Sequence, residues 1–168
     1  SGIQILTPEN MYAEPDRTVS CNVSGNIDKN DTQLIPTNGG VPFAVTMYDS
    51  LGYKYTMEFR VTLEDAAAAP NDFTFTIGGI KDSDGNPLDP APTLVNDNVV
   101  LTFDKDTGKL ATTSPTGISV EGLEDATGFS KLGDPLEIDF SQITMFAGKT
   151  GFQPNRGDLQ GLGSGRER

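Results

Sequence analysis

Two neighbouring runs of alternating residues decide the fold, Val41-Pro-Phe-Ala-Val-Thr-Met-Tyr48 and Tyr53-Lys-Tyr-Thr-Met-Glu-Phe-Arg-Val-Thr-Leu63. A period of two places alternate side chains on opposite faces of a strand. The predicted apolar face of the second run comprises Tyr53, Tyr55, Met57, Phe59, Val61 and Leu63. Between the runs, residues 49–52 contain an Asp that can accept hydrogen bonds from its own turn and a Gly that tolerates positive φ. The two runs therefore predict a β-hairpin.

Short apolar runs elsewhere in the chain predict further strands. They occupy residues 72–77, 98–103, 117–120 and 135–140, each bounded by Gly, Pro, Asn or Asp. The one helix-favouring stretch, residues 64–69, is followed by Pro70 and is too short to be stable alone, so we interpret it as a loop or one helical turn. We therefore predict an all-β fold, an antiparallel β-sandwich or small β-barrel with extended terminal connecting segments.

The composition excludes several classes of partner. The chain has 168 residues, which fits one domain, and 24 acidic against 12 basic side chains give a net charge of -12. Phosphate backbones and anionic lipid surfaces would repel such a chain. No run approaches the ~18 apolar residues of a membrane-spanning helix, and the first residues lack a signal-peptide pattern. We expect neither a nucleic acid partner nor membrane insertion.

The counts of two residue types limit the chemistry. His is absent and Cys occurs once. A His general base, a Ser/His/Asp triad, a Cys/His dyad and most zinc sites all need residues that this sequence lacks. One Cys also cannot form an internal disulfide. We therefore expect neither a conventional enzyme nor a bound cofactor.

Two acidic segments, residues 82–86 and 104–108, place oxygen-bearing side chains at alternate positions, as calcium loops do. The first segment has Pro87 at its sixth position and the second contains Lys105, so the pattern favours turns capped by Asp side chains. No metal site is predicted. The alternative function is an extracellular Ig-like or adhesin-type binding module. It would hold calcium through Asp82, Asp84, Asp104 and Asp106.

The single cysteine, Cys21, lies in an alternating segment, residues 18–27, that places it on one face with Val19 and Val23. Three interpretations stay open at this point. The thiol is a small buried hydrophobe, a reactive group that joins another chain, or a group that undergoes elimination. Asn22 follows immediately and could donate a hydrogen bond toward charge that develops during a reaction.

Four further segments share a recognisable pattern. They are Met47-Tyr-Asp-Ser-Leu-Gly-Tyr53, Phe103-Asp-Lys-Asp-Thr-Gly-Lys-Leu110, Ile138-Asp-Phe-Ser-Gln-Ile-Thr-Met-Phe-Ala-Gly148 and Gly151-Phe-Gln-Pro-Asn-Arg-Gly-Asp-Leu-Gln-Gly161. In this order they resemble the V-Y-D-S-L-G, F-D-x-x-G-x-L, L-D-x-S-x-x-T-Q-F-A-G and D-G-Y-x-x-G-x-L-x-G motifs of the bacterial flagellar hook protein family. The resemblance covers about residues 18–163.

The resemblance implies a domain order. Residues 1–18 would be a connecting segment toward an inner domain, 19–150 the outer β domain, 151–163 a return segment and 164–168 a flexible tail. It also implies a structural subunit of the hook, the curved polymer that transmits motor torque. The implied partners are other copies of the subunit, and the implied location is the flagellum outside the cytoplasmic membrane.

The Cys21-Asn22 pair resembles that of spirochaete hook proteins, whose hooks lie in the periplasm. In that subfamily, neighbouring subunits are joined by lysinoalanine, formed when a Cys becomes dehydroalanine and a Lys amine of another subunit adds to it. The resemblance implies that Cys21 is the precursor of the electrophile and Asn22 its stabiliser. No Lys precedes Cys21 in this sequence, so the partner Lys stays open.

Overall fold

The computed structural model describes residues 18–89, 91–123 and 135–155. In this part of the chain, eight strands form two four-stranded sheets. The strands are β1 (Ser20–Asn26), β2 (Val41–Tyr48), β3 (Lys54–Asp65), β4 (Ala69–Lys81), β5 (Asn98–Thr102), β6 (Gly117–Val120), β7 (Leu136–Thr144) and β8 (Gly151–Asn155). Two short 3-10 helices, Thr32–Leu34 and Pro36–Asn38, lie between β1 and β2. The predicted all-β class is confirmed, and its form is a sandwich.

The meander sheet, with strand order β2-β3-β4-β5, is antiparallel throughout. Strands β2 and β3 pair from Val41 opposite Val61 to Tyr48 opposite Lys54, which confirms the predicted hairpin. The buried side chains of β3 are Tyr55, Met57, Phe59 and Val61. Tyr53 is 62% exposed and precedes the strand, so the apolar face begins two residues later than predicted.

The stretch that we interpreted as a loop or one helical turn forms the tight turn between β3 and β4. The carboxylate of Asp65 accepts hydrogen bonds from the backbone N–H groups of Ala67 at 2.8 Å and Ala68 at 2.9 Å. The Ala68 and Ala67 amides hold the pKa of Asp65 below its usual value because they stabilise the charged carboxylate. A short turn of three alanines, capped by Asp65, therefore connects the two strands in place of a helix.

The terminal sheet, with strand order β6-β7-β1-β8, contains the first and last described strands. Strand β1 pairs in parallel with β7 and antiparallel with β8. The predicted antiparallel sandwich is therefore confirmed, and β1 with β7 is the one parallel pair among the described strands. Residues 151–155, which we expected at the start of a return segment, form β8 of this sheet. The expected connecting segment up to residue 17, the rest of the return segment and the tail lie outside the described residues.

Phenylalanine side chains join the inner faces of the two sheets. Phe140 of the terminal sheet packs on Phe75 with ring centroids 4.8 Å apart and edge-on against Phe59 at 6.0 Å. Phe152 lies 4.8 Å from Phe43 and 5.8 Å from Phe75. These spacings fall within the range in which aromatic pairs add to the hydrophobic free energy of burial. The core between the sheets is therefore continuous.

We predict that Phe140→Ala lowers the free energy of unfolding by about 3–5 kcal/mol, because it removes a fully buried ring that contacts both Phe59 and Phe75. Urea unfolding at low protein concentration measures the change. The control is Leu51→Ala, at a side chain 57% exposed, which should change stability by less than about 0.5 kcal/mol. Equal effects of the two substitutions would contradict the packing described here.

Candidate functional site

Cys21, the predicted precursor of a cross-link, lies in the core. It is the second residue of β1, opposite Ile138 of β7, and only 2% of its surface is exposed. Its Sγ lies 3.7 Å from the backbone oxygen of Asn22. Alternation along β1 correctly predicted the inward direction of Cys21 and Val23, but Val19 precedes the strand and is 44% exposed. In this fold the thiol is packed as a small hydrophobe.

Asn22, the predicted stabiliser, points to the other side of β1, because successive side chains of a strand alternate. It lines a groove of about 510 Å³ on the outer face of the terminal sheet. The outer groove, as we call it, is also lined by Ser20, Ser119, Glu137 and Asp139, and by atoms of the buried residues Cys21 and Ile138. The structure therefore brings Cys21 and Asn22 together along the chain but places their side chains on opposite faces of the sheet.

The first and last described strands are neighbours, so the chain enters and leaves the sandwich at one end. Asn22 of β1 pairs with Asn155 at the end of β8. We call this the connecting end and the opposite one the distal end.

At the connecting end, the N–H of Thr18 donates to the carbonyl of Tyr48 at 2.9 Å, and the Tyr48 N–H donates to the Thr18 hydroxyl at 2.9 Å.

The turn at residues 49–52, also at the connecting end, is built around a buried carboxylate. Asp49 is 1% exposed, and its Oδ1 accepts hydrogen bonds from the N–H groups of Leu51 at 2.9 Å and Tyr53 at 3.0 Å. Gly52 adopts a φ of 89°, which favours glycine. The Tyr55 hydroxyl donates to Oδ2 of Asp49 at 3.3 Å. Both carboxylate oxygens of Asp49 therefore accept hydrogen bonds from the turn or from Tyr55, and the segment has a structural role.

The same buried pair changes the acidity of Tyr55. Burial, and then the negative charge of Asp49, raise the pKa of Tyr55 to about 12, because both disfavour the phenolate.

The distal end is organised by Asn26, which the sequence did not single out. Its Oδ1 accepts from the Phe146 N–H at 2.9 Å and the Thr144 hydroxyl at 2.8 Å, and its Nδ2 donates to the carbonyls of Phe146 at 3.0 Å and Lys149 at 3.1 Å. Phe146 is nevertheless 51% exposed. Residues 146–148, Phe-Ala-Gly, end the third segment that resembles the hook family. Nothing in the local sequence pattern predicts that Phe146 lies on the surface.

The acidic segments form turns. Oδ1 of Asp82 accepts from the N–H groups of Asp84 at 2.9 Å and Asn86 at 3.0 Å. Oδ1 of Asp104 accepts from the N–H of Asp106 at 2.8 Å and from that of Thr107 at 3.2 Å. The predicted turns are confirmed. Across residues 18–89, 91–123 and 135–155, no three Cys, Asp or Glu side chains gather in a way that could hold a metal ion.

Within the same residues, no helix has the length and apolar character required to cross a membrane. In the described parts of these motifs, Asp49 and Asp104 cap turns, and the backbone N–H of Phe146 bonds to Asn26. The class that the two sheets define is an all-β sandwich domain.

Residues 20–158 match the family described as flagellar basal body protein FlaE D2 domain. The match includes all eight strands, so the chain belongs to the flagellar hook protein family. It is accordingly a structural, non-enzymatic part of the bacterial flagellar hook, which lies outside the cytoplasmic membrane and serves motility. A comparison with curated proteins found no significant match.

We predict that the domain loses stability as the pH rises from about 10, where unfolded Tyr ionises, to about 12, the pKa of folded Tyr55. Over this range the unfolded chain gives up a proton that the folded domain retains, so the free energy of unfolding falls. Urea unfolding measured between these pH values should show a smaller fall in the free energy of unfolding for Tyr55→Phe than for the unchanged protein. Tyr53→Phe, at an exposed ring whose charge makes the smallest contribution to raising the Tyr55 pKa, is the control and should keep most of the fall.

We also predict that the Cys21 thiol reacts with an aromatic disulfide reagent roughly 100-fold or more slowly in the folded domain than in denaturant, because reaction requires local opening of the core. Absorbance of the released thiolate follows the rate. The control is Val19→Cys combined with Cys21→Ala, which places a thiol at an exposed position two residues away and should react rapidly. Similar rates at the two positions would show that Cys21 is accessible.

Proposed function

We propose that this D2 domain belongs to a hook subunit of the spirochaete type, in which Cys21 forms a lysinoalanine cross-link to a neighbouring copy. The partners are then other copies of the same subunit in a torque-transmitting homopolymer, and the hook lies in the periplasm. The observation that carries the proposal is the Cys21-Asn22 pair at the start of β1, inside the region matched by the hook family.

The position of Cys21 suits a mechanical role. Force between this domain and the rest of a longer subunit would pass through β1 and β8, where the chain enters and leaves. Strand β1 is hydrogen-bonded on both sides, to β7 and β8, so tension along it loads many hydrogen bonds at once. A covalent bond at Cys21 would hold the neighbouring subunit at this connection.

The cross-linking chemistry proceeds in two balanced steps. Hydroxide removes the Cα proton of Cys21, the electron pair forms a Cα=Cβ double bond, the Cβ–S bond breaks and hydrosulfide leaves. A neutral Lys amine then adds through Nζ to Cβ, and one proton passes from Nζ to Cα, which leaves a secondary amine. Desolvation favours the neutral amine by lowering its pKa from ~10.4. Packed subunits would also supply effective molarity that a free amine lacks.

Asn22 has a separate role in this scheme. During elimination, negative charge builds on the carbonyl oxygen of Cys21, and a side-chain amide donor can stabilise it. The Asn22 side chain lies on the outer face, whereas the thiol lies in the core. Its amide would therefore donate to the carbonyl oxygen of Cys21 from outside the core. Asn22 would therefore act on the backbone of Cys21 rather than on its sulfur.

Burial of Cys21 sets a condition on the reaction. With 2% of the residue exposed, hydrosulfide can leave and an amine can reach Cβ only when β1 or its surroundings open locally. The isolated domain should therefore keep Cys21 as a thiol. Contact with a neighbouring subunit would have to favour the open form for cross-linking to proceed.

Mass spectrometry of hooks assembled from the full-length protein tests the proposal. We expect a Cys21 peptide joined to a Lys peptide. The mass of the joined species should be lower than the sum of the two peptide masses by the mass of one hydrogen sulfide molecule. Cys21→Ala should abolish this species, and Asn22→Ala should reduce its rate of formation by roughly 10–100-fold while leaving the fold intact. Assembled hooks that contain only the unmodified thiol would refute the cross-link, although the chain would remain a member of the hook family.

A further inference from the structure

We propose that Asn38 is a site of spontaneous modification, at which the side-chain amide is lost as ammonia and the residue becomes aspartate or isoaspartate. The β1–β2 loop, residues 27–40, holds this reaction back through hydrogen bonds to both reacting groups. Conversion of Asn38 therefore reports opening of this loop. The proposal is independent of the cross-link at Cys21, because its reactants are one asparagine, the glycine that follows it and water.

Asn38-Gly39 is the one Asn-Gly pair in the sequence. In such a pair the backbone nitrogen of the second residue attacks the side-chain carbonyl carbon of the asparagine. A glycine leaves this nitrogen open to approach because it has no Cβ. Every other asparagine of the chain precedes a residue that carries a side chain. Both Asn38 and Gly39 are exposed, so water and hydroxide reach them.

The reaction balances without any reagent other than water and hydroxide. Hydroxide removes the proton of the Gly39 N–H, and this nitrogen attacks Cγ of Asn38, so that an N–Cγ bond forms. The Cγ–Nδ2 bond then breaks, Nδ2 takes a proton from water and leaves as ammonia, and a succinimide ring remains. Water opens the ring at Cγ to give aspartate, or at the backbone carbonyl carbon to give isoaspartate.

In the folded loop both reacting groups are held by hydrogen bonds. The Gly39 N–H, whose nitrogen would attack, donates to the Pro36 carbonyl at 3.0 Å. Nδ2 of Asn38, which would leave, donates to the Thr32 carbonyl at 2.7 Å. Asn38 also belongs to the 3-10 helix Pro36–Asn38, and ring closure requires its Cα–C bond to rotate out of the helical conformation. The reaction therefore proceeds only when the loop opens locally.

Two side chains hold the loop in its closed form. Nε2 of Gln33 donates to the carbonyls of Asn38 at 2.8 Å and Gly40 at 3.1 Å. Nη1 of Arg60, on β3, donates to the Gly39 carbonyl at 3.2 Å. The polar backbone groups on both sides of the reactive bond therefore have partners, and removal of either donor should favour the open loop.

The fold itself requires the reactive pair. Gly39 ends the 3-10 helix with a φ of 97°, which favours glycine, and Nδ2 of Asn38 is the donor that satisfies the Thr32 carbonyl. After conversion a carboxylate, which cannot donate, replaces this amide, and isoaspartate also adds a methylene group to the backbone. The loop carries Leu34 into the core, where it is fully buried. Conversion therefore favours the open loop irreversibly and weakens the packing of Leu34.

Peptide mass spectrometry of this chain after incubation at mildly alkaline pH tests the proposal. Conversion raises the mass of the Asn38 peptide by the difference between a hydroxyl and an amino group. In guanidinium chloride, Asn38 should convert faster than any other asparagine. In the folded domain its conversion should be roughly 10-fold or more slower than in denaturant, because the loop has to open first. The mass change excludes Asp84-Gly85, where a similar ring forms without loss of ammonia.

Variants separate the loop from the intrinsic chemistry. Gln33→Ala removes two hydrogen bonds, so Asn38 should convert about 3–10-fold faster than in the unchanged folded protein and at the same rate in denaturant. Gln142→Ala makes the same substitution at an exposed position of β7 and should leave both rates unchanged. Circular dichroism confirms that each variant retains the sandwich, and Arg60→Ala replaces Gln33→Ala if the latter fails to fold.

Asn38→Asp places the aspartate product directly in the loop. Because it removes the donor to the Thr32 carbonyl, this variant should unfold at a lower urea concentration than the unchanged protein. Equal urea midpoints would contradict the loss of the closed loop after conversion.

Three results of the mass measurement would overturn the proposal. They are conversion of Asn38 as fast in the folded domain as in denaturant, no conversion of Asn38 even in denaturant, and equal folded-state rates for Gln33→Ala and Gln142→Ala. None of them affects the lysinoalanine measurement in assembled hooks, since that reads the mass of a Cys21 peptide.

Discussion

Aromatic packing between the two sheets is the contact on which the rest of the structure depends. Phe140 contacts Phe59 and Phe75 across the sandwich, and Phe152 brings the last described strand against the same cluster. Each sheet has an apolar inner face that must be buried against another layer, so neither sheet would hold its shape without the other. Closure of the sandwich buries Cys21, and packing of Phe152 holds β8 beside β1 at the connecting end.

Local information predicted much of the fold. Alternation and turn chemistry were sufficient for β2, β3 and the Asp-capped turns, because their partners are a few residues away. The parallel pairing of Cys21 with Ile138 joins residues far apart in sequence, and no local pattern specifies it. Alternation predicted the face of Cys21 but not the exposure of Phe146, which depends on the long-range hydrogen bonds of Asn26.

The chain belongs to the hook family. Its first and last described strands, β1 and β8, are antiparallel neighbours, so the chain enters and leaves the described sandwich at one end. A buried thiol on the incoming strand is protected from reagents until the strand opens. Assembly would then control when the proposed covalent bond forms.

The most direct test of covalent joining at this connection is a cryo-electron microscopy map of the hook assembled from the full-length protein. If subunits are joined through Cys21, the map will show continuous density from the Cβ of residue 21, at the start of β1, to a lysine side chain of the neighbouring subunit. A well-resolved map in which the Cys21 side chain remains enclosed in the core, with a gap to every neighbouring lysine, would contradict it.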